Sequence, residues 1–351
     1  MKQNNKIWIE TSFVLNNTTG IGAYVLTLMQ CFKLQGLYFK KINLKLPYKK
    51  FKFIFHFLWM NTILYLKTFW EKPDIIIFPA FVMPYIRPST SRGGGVTTVI
   101  HDLAHLRQDE MGLYSKTIFK LSVNIAIKKA DTIVTVSNTV KQELIEKYSV
   151  NPKRIKVVYN AIGEHFIHAA IKQEILNKYN IKKDKYILSV ATLNKRKNIP
   201  ELIKAFESIS DKYPDLKLVL VGGMGNENRE KLTKHPKIIF TGYIPDEEIP
   251  TLYKNALLYI FPSLYEGFGT PIIEAQYSGC PLLCSDIPVF KEIAGNGAEF
   301  CNTDAKSIAT QIEHLINDSN RRQELIKLGS ENVKRFSLEN VSKQLLGALE
   351  S

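Results

Sequence analysis

Residues 257–274 constrain the fold of this 351-residue chain more than any other stretch. An apolar run of strand length, residues 257–261, is followed by a loop that contains Gly267 and Gly269, and then by the first turns of a predicted helix. A strand, a tight glycine loop and a helix start present free backbone N–H groups at the positive end of a helix dipole. The stretch therefore predicts an α/β unit with an anion site, most often a phosphate site, at the loop.

Two glutamates distinguish this loop from a simple turn. Thr270 is the predicted N-cap of the helix, and Pro271 suits its first turn. Glu274 follows Thr270 by four residues, so it does not fit a capping box, which needs the acid three residues after the cap. Its side chain leans back toward the loop, where it can accept hydrogen bonds from sugar hydroxyls. Glu266 is in the loop itself. The residues alone leave open a ligand site or a surface turn.

The setting of these glutamates resembles the signature of the family 4 retaining glycosyltransferases. Seven residues separate Glu266 from Glu274, in the pattern Phe-Pro-Ser-x-Tyr-Glu-Gly-Phe-Gly-x-Pro. The resemblance implies an α/β fold of two Rossmann-like domains facing across a cleft, the GT-B architecture. Repeated strand-loop-helix units in both halves also favour two such layers. We expect an acceptor domain at 1–165, a donor domain at 166–336, and a C-terminal helix at 337–351 that crosses back to the N-terminal domain.

Two further blocks of the family lie in the N-terminal half. Gly20 and Gly22 follow a predicted strand and precede a predicted helix, which allows close backbone approach to a ligand. In the family a glycine loop here lies against the donor, so Gly22 is assigned to substrate binding. His101 follows the strand 96–100, at the carboxyl end where open α/β sheets bind ligands. A structural loop histidine is the alternative, but the resemblance implies a contact with the donor sugar.

A basic loop opens the C-terminal half. Residues 195–197 are three successive cations between a predicted strand and helix, and they repel one another unless an anion lies among them. A solvated basic turn is the alternative. In the family this loop neutralises the donor diphosphate, and Arg196 and Lys197 match its cations. The Gly-Arg that other members carry earlier in the loop is Ala191-Thr192 here. Tyr243 lies in a block that is near the nucleobase in relatives.

The resemblance implies retaining transfer of a hexose from a nucleotide diphosphate sugar to a hydroxyl, with no cofactor and no metal. Fixed cations and loop amides would stabilise charge on the leaving diphosphate. Glu274 would hold the ribose, whereas Glu266 and His101 would hold the transferred sugar. The residues assigned to catalysis are His101, Arg196, Lys197 and Glu266. The residues assigned to substrate binding are Gly22, Tyr243, Gly267, Phe268, Gly269, Thr270 and Glu274.

The net charge lies entirely in the first half of the chain. Residues 1–160 carry 23 Lys plus Arg against nine Asp plus Glu, whereas residues 161–351 carry 24 of each. Such a one-sided charge predicts an anionic partner, namely nucleic acid, a membrane or a phosphorylated acceptor, with simple solubility as the alternative.

The densest part of this charge is residues 33–72, which hold nine lysines, one acid and many aromatics. A face on anionic lipid, a buried helix and a membrane span all remain open for this segment. The span is the weakest of the three because its apolar centre is shorter than about 20 residues.

Together these features predict a surface-polysaccharide enzyme of the O-antigen or capsule type. The expected donor is GDP-mannose, because the Arg-Lys-Asn loop resembles bacterial mannosyltransferases, or else a UDP- or dTDP-sugar. The expected acceptor is a lipid-linked saccharide, reached from an anionic membrane surface on the cytoplasmic side, since no targeting segment is present. A nucleotide-sugar epimerase would not need the basic aromatic segment. A nucleic-acid-binding protein would leave the two glutamates of the loop unexplained, and we expect no nucleic acid partner.

Overall fold

The computed structural model describes residues 5–11, 20–43, 56, 58–91, 95–104, 113–223 and 232–350. The chain divides into two compact units, Met1–Ala161 with Ser337–Ser351, and Ile162–Phe336. Each unit is built on a six-stranded sheet whose described strand pairs are all parallel. The predicted α/β fold of two Rossmann-like domains is confirmed.

The N-terminal unit has the strand order β2-β1-β3-β4-β5-β6. Its strands are β1 (Ile7–Glu10), β2 (Phe39–Ile42), β3 (Ile75–Phe78), β4 (Val96–Ile100), β5 (Thr132–Thr135) and β6 (Ile155–Val157). Its helices before residue 161 are α1 (Gly20–Leu34), a π-helical turn (Met60–Leu64) that continues into α2 (Tyr65–Glu71), α3 (Leu113–Lys129), α4 (Asn138–Tyr148) and a 3-10 turn (Pro152–Arg154). The strands β3 and β4 are buried at every residue, as expected for apolar runs in a parallel sheet covered on both faces.

The segment 58–71 is helical and has one buried and one exposed face. Trp59, Met60, Leu64 and Thr68 are buried, whereas the opposite face is exposed. The segment is therefore not fully buried, and within the described residues no helix has the length and hydropathy needed to cross a membrane. Residues 44–55 and 57, which include four lysines of the basic aromatic segment, lie outside the described residues.

The C-terminal unit has the strand order β12-β11-β10-β7-β8-β9. Its strands are β7 (Tyr186–Val190), β8 (Lys217–Val221), β9 (Ile238–Gly242), β10 (Leu258–Phe261), β11 (Leu282–Ser285) and β12 (Glu299–Cys301). Its helices are α5 (Glu164–Ile167), α6 (Gln173–Lys178), a 3-10 turn (Lys195–Lys197), α7 (Ile199–Ile209), α8 (Ile249–Asn255), α9 (Thr270–Tyr277), α10 (Pro288–Ala294), α11 (Ala305–Asn317), α12 (Ser319–Asn332) and a 3-10 turn (Val333–Phe336). One apolar core cluster joins one face of β7, β8 and β10 to α7 and α11.

The last helix, α13 (Leu338–Glu350), belongs to the N-terminal unit. It packs on α1 and reaches β5 and β6. The side chain of Gln344 also accepts a hydrogen bond from the backbone N–H of Tyr159 at 3.1 Å. The predicted return of the C-terminal helix to the N-terminal domain is confirmed.

Candidate active site

The two loops that carry the strongest sequence signals meet at the switch point of the C-terminal sheet. The strand β7 pairs with β8 on one side and with β10 on the other. Crossover helices leave in opposite directions at such a point, which opens a crevice at the carboxyl ends of the strands. The loop after β7 and the loop after β10 therefore lie side by side, and the N–H of Leu264 donates to the carbonyl of Arg196 at 2.8 Å.

The loop after β7 is shaped by two asparagines. The side chain of Asn194 accepts a hydrogen bond from the N–H of Lys197 at 3.1 Å and so caps the 3-10 turn of the three cations. Asn198 ends the turn in the left-handed conformation, with φ of 57°, which asparagine adopts at low cost. Its side chain donates to the carbonyl of Thr303 at 2.7 Å. These contacts fix the directions of Arg196 and Lys197.

The loop after β10 turns into helix α9 at a glycine. Gly269 has φ of 95° and is the N-cap of the helix, and Thr270 is its first residue. The predicted N-cap at Thr270 is therefore wrong by one residue, because the left-handed Gly269 brings the chain into the helix earlier than a side-chain cap would. A Cβ at position 269 would lie 3.0 Å from Cε1 of Phe290 and 3.2 Å from Cδ1 of Ile272. Only glycine fits there without strain.

Glu266 joins the two loops through its carboxylate. Its Oε2 lies 2.6 Å from Nη1 of Arg196, and its Oε1 lies 2.6 Å from Nζ of Lys197. Glu266 is only 9% exposed, and this desolvation alone would raise the pKa of the carboxyl. The two cations outweigh that effect, and the pKa of Glu266 lies below its usual value. The carboxylate is therefore ionised at neutral pH.

Each cation has a second contact inside the unit. Nη1 of Arg196 also donates to the carbonyl of Tyr265 at 2.8 Å, and Nζ of Lys197 lies 4.9 Å from the ring centroid of Phe261. The Nε of Arg196 is buried and has no hydrogen-bond partner among the described residues. The site thus concentrates fixed positive charge beside backbone amides at a helix start, an arrangement that favours an anion.

Glu274 lies on α9, one turn beyond the loop, and is half-buried. The hydroxyl of Tyr253 donates to its Oε2 at 3.1 Å. Burial raises the pKa of Glu274 to about 7. The hydrogen bond from Tyr253 lowers this pKa, and the charge of Asp246 raises it by a smaller amount. The carboxyl therefore titrates in the physiological range.

His101 directly follows β4 in the N-terminal unit. Its Nε2 lies 2.8 Å from the carbonyl oxygen of Pro79, which can only accept, so Nε2 carries the proton. Burial lowers the pKa of His101, partly offset by that hydrogen bond and by the charge of Asp102. The ring is therefore neutral, and its Nδ1 is an acceptor. Tyr24 of α1 packs edge-on against it, with ring centroids 4.7 Å apart.

Three residues assigned to substrate binding differ in location or burial from a side chain that lines a ligand site. Gly22 was expected in the loop before α1, but it is buried in the first turn of that helix because the helix begins at Gly20. The Phe268 side chain is buried and packs edge-to-face on Phe336, with ring centroids 5.7 Å apart. Only the backbone of Phe268 can therefore contact a ligand at the loop. Tyr243 follows the edge strand β9 and is 69% exposed.

The C-terminal unit brings together most of the assigned residues. This set consists of Arg196, Lys197, Glu266, Gly267, Phe268, Gly269, Thr270 and Glu274. His101 and Gly22 belong to the N-terminal unit. Sequence reasoning missed Tyr253, which no local signal marks, and Asn194, whose spacing of three residues from Lys197 fits an N-cap pattern. Within the described ranges, no group of three or more His, Cys, Asp or Glu side chains could hold a metal ion.

Comparison with known proteins identifies the family of both halves. Residues 24–164 match the family described as "Glycosyltransferase Family 4", and residues 171–332 match "Glycosyl transferases group 1". The chain is 30% identical over 258 residues to the O-antigen chain mannosyltransferase RfbU of Salmonella typhimurium, an alignment that covers 72% of this chain and 68% of that protein. It is 28% identical over 284 residues to the O-antigen chain mannosyltransferase B of Escherichia coli, covering 77% and 72%.

A solved structure shares the fold. HepE of Anabaena, determined in complex with UDP and glucose, superposes with a TM-score of 0.75 at 16% identity, covering 99% of this chain and 100% of that one. The matching fold, the family models over both halves and the identity to RfbU agree with the motif around Glu266 and Glu274. The chain belongs to the family 4 glycosyltransferases of GT-B architecture and is a glycosyltransferase.

Proposed function

We propose that this enzyme transfers a hexose, with retention of configuration, from a nucleotide diphosphate sugar to a hydroxyl of a lipid-linked saccharide. The observation that carries the proposal is the fixed pair of cations, Arg196 and Lys197, beside the amides of the loop before α9. Two relatives with O-antigen mannosyltransferase names support the same class of reaction. Of the donors predicted, GDP-mannose is the one these names favour.

The chemistry follows from where charge develops. As the bond between the anomeric carbon and the diphosphate oxygen breaks, the electron pair stays on the diphosphate. Lys197, Arg196 and the loop amides stabilise this charge without reorganising, because the asparagine caps and the turn hold them in place. The acceptor oxygen bonds to the anomeric carbon, and the proton of the acceptor hydroxyl passes to the departing diphosphate oxygen. We propose that no cofactor and no metal ion is needed.

The remaining residues hold the substrate. Glu274 accepts hydrogen bonds from the ribose hydroxyls, and the neutral His101 accepts a hydrogen bond at Nδ1 from a hydroxyl of the transferred sugar. The Glu266 carboxylate also accepts hydrogen bonds from hydroxyls of that sugar. Gly22 contributes to donor binding from the first turn of α1, and Tyr243 contributes its exposed ring. These roles rest on the family resemblance together with the protonation states that the structure supports.

A donor screen tests the proposal. The protein is incubated with GDP-mannose, UDP- and dTDP-hexoses and an undecaprenyl-diphosphate-linked saccharide, and products are detected by mass spectrometry. Wild type should give a hexosylated lipid from one donor, whereas Lys197→Ala should give little. Interconversion of donor sugars without transfer would instead indicate an epimerase.

The acceptor proposal places the enzyme on the inner face of the cytoplasmic membrane. The helical segment 58–71 carries a stripe of exposed large apolar side chains, called here the apolar face. Its members are Leu58, Ile63, Leu66, Phe69 and Trp70. Trp70 is 78% exposed, and an exposed tryptophan among lysines is typical of a surface that lies at lipid headgroups.

Neighbouring residues extend this surface. The N–H of Ile86 donates to Oδ1 of Asn61 at 2.9 Å, which ties the exposed Tyr85 and Ile86 to the same helix. Nζ of Lys129 lies 5.5 Å from the ring centroid of Tyr85. The apolar face thus continues into a basic neighbourhood, in the half of the chain that carries the whole net charge. An anionic bilayer matches both the apolar and the basic parts.

Liposome flotation tests this part separately. Wild type should float with vesicles that contain phosphatidylglycerol, and it should be released as salt rises. The triple variant Leu66→Ser, Phe69→Ser, Trp70→Ser should stay at the bottom while it binds donor normally. The matched control is Ile171→Ser in the C-terminal unit, where a side chain of similar exposure, 50% against 54% for Leu66, is removed. Flotation of the triple variant would refute the docking surface.

A further inference from the structure

Glu266 and a donor diphosphate require the same two cations. Each carboxylate oxygen of Glu266 is 2.6 Å from a different cation, Arg196 on one side and Lys197 on the other. We propose that Glu266 is an internal competitor of the diphosphate: donor binding displaces its carboxylate from the cations, and only the released carboxylate is available to the sugar. This proposal rests on the proposed function of Arg196 and Lys197 as diphosphate ligands.

Charge repulsion makes the two anions compete for the two cations. Two negative groups held within about 4 Å in a poorly solvated site repel each other strongly. The side chains of Glu266 and Lys197 are both largely buried, so water screens this repulsion little. The carboxylate lies against Nη1 of Arg196 and Nζ of Lys197, so a diphosphate that approaches these same two atoms replaces both contacts.

The cations themselves are held independently of Glu266. Arg196 keeps its bond to the Tyr265 carbonyl, and Nζ of Lys197 keeps its contact with the Phe261 ring, whose centroid is 4.9 Å away. The cations therefore stay in place when the carboxylate leaves. Glu266, in contrast, sits directly before the glycine of the loop and can re-aim its side chain by rotation about its own bonds.

The exchange links two recognition events. A nucleotide that presents a diphosphate releases Glu266, and the freed acceptor oxygens then bind sugar hydroxyls. A nucleoside monophosphate carries less charge and bridges the two cations less well, so it releases the carboxylate less completely. Glu266 thus weakens the affinity for the donor, but it also makes sugar binding depend on the presence of the diphosphate. Donors that carry a diphosphate are thereby selected over nucleotides that do not.

The test is the affinity for nucleoside diphosphate in variants that weaken the competitor. GDP and UDP binding to wild type and Glu266→Gln is measured by calorimetry. Removing the carboxylate charge should tighten binding of the nucleotide that wild type prefers by about tenfold or more, since a neutral amide with one acceptor oxygen holds the two cations less strongly than a carboxylate with two. Turnover should fall at the same time, giving a lower KM together with a lower kcat. A purely structural role would weaken both binding and turnover.

Two controls keep the result interpretable. Glu299→Gln removes the carboxylate of another ion pair of the same unit, with Arg321 at 2.9 Å, and should leave nucleotide affinity unchanged. Glu266→Asp is the second variant, for use if the glutamine variant does not fold. Its side chain keeps the charge but is shorter, so it should bind the cations less well and tighten nucleotide binding by a smaller factor. Binding no tighter than wild type in either folded variant would overturn the competitor role. Tight nucleotide binding with no sugar transfer to any acceptor would instead refute the transferase proposal alone.

Discussion

Replacing Glu274 by glutamine should remove a pH dependence of nucleotide binding that the wild type shows near pH 7. In the proposed function the ionised carboxylate accepts hydrogen bonds from both ribose hydroxyls, whereas the protonated carboxyl has one acceptor fewer and loses the charge assistance. With a pKa of about 7, Glu274 is ionised in only about one molecule in thirty at pH 5.5. Nucleoside diphosphate affinity should therefore fall by up to about 30-fold between pH 8.5 and pH 5.5.

The assay is calorimetric titration of GDP, or of the preferred nucleotide, at pH values from 5.5 to 8.5. The terminal phosphate of the nucleotide also titrates near pH 6, and it affects wild type and variant equally. The difference between the two profiles therefore isolates Glu274. Glu274→Gln should bind more weakly than wild type at pH 8.5 and nearly as well at pH 5.5. Two parallel profiles would refute the assignment of Glu274 to the ribose.

The same variant should change stability in the opposite sense. The pKa of Glu274 is raised in the folded state, from 4.5 to about 7, so its contribution to the unfolding free energy is complete below pH 4.5 and is lost as pH rises to about 7. At 1.36 kcal/mol per pKa unit, the loss would be about 3 kcal/mol for a fully buried group, and about 1–2 kcal/mol for this half-buried one. Glu274→Gln should therefore melt about 2–8 °C higher than wild type at pH 8. At pH 4.5 the two proteins should melt together.

Three further outcomes are expected. Lys197→Ala should lower kcat by about 100-fold while KM changes much less, because the charge it stabilises grows only as the diphosphate leaves; steady-state kinetics that show a KM effect alone would make Lys197 a binding residue. EDTA should leave the activity of wild type intact, and strong inhibition restored by Mg²⁺ would contradict the metal-free proposal. Gly269→Ala should cost about 1–3 kcal/mol of unfolding free energy, since alanine is strained at φ of 95° and its Cβ would press on Phe290. Its control, Gly347→Ala in the exposed part of α13, should be neutral or stabilising in the same thermal melts.

Local features of this protein were largely predictable from its sequence. The strands β7 and β10 are apolar runs of strand length, and the glycine, proline and asparagine residues after them mark loops, so both loops of the candidate site were located by pattern. The resemblance supplied their order and the two-domain architecture. In contrast, the start of α1 at Gly20 and of α9 after Gly269 could not be placed, because a glycine fits a loop, a cap or a first helical turn equally well.

Contacts between distant segments were not predictable from spacing. Glu266 lies 69 residues from Lys197, and they meet only because β10 enters the sheet beside β7 rather than beside β9. The bond from Tyr253 to Glu274 depends in the same way on how α8 packs against α9. Periodicity reports which face of an element is buried, but it does not report which element covers that face. The charge pairing within the site therefore required the fold.

The return of α13 has a consequence for building hybrid enzymes from relatives. The N-terminal unit is discontinuous in sequence, since its last helix follows the whole C-terminal unit. A hybrid joined at a single point near residue 161 would place a foreign helix against α1 and against Tyr159, whose backbone N–H now donates to the side chain of Gln344. Donor preference should therefore be exchanged by transplanting residues 162–336 as an internal segment with two junctions, which keeps α13 packed on its own α1.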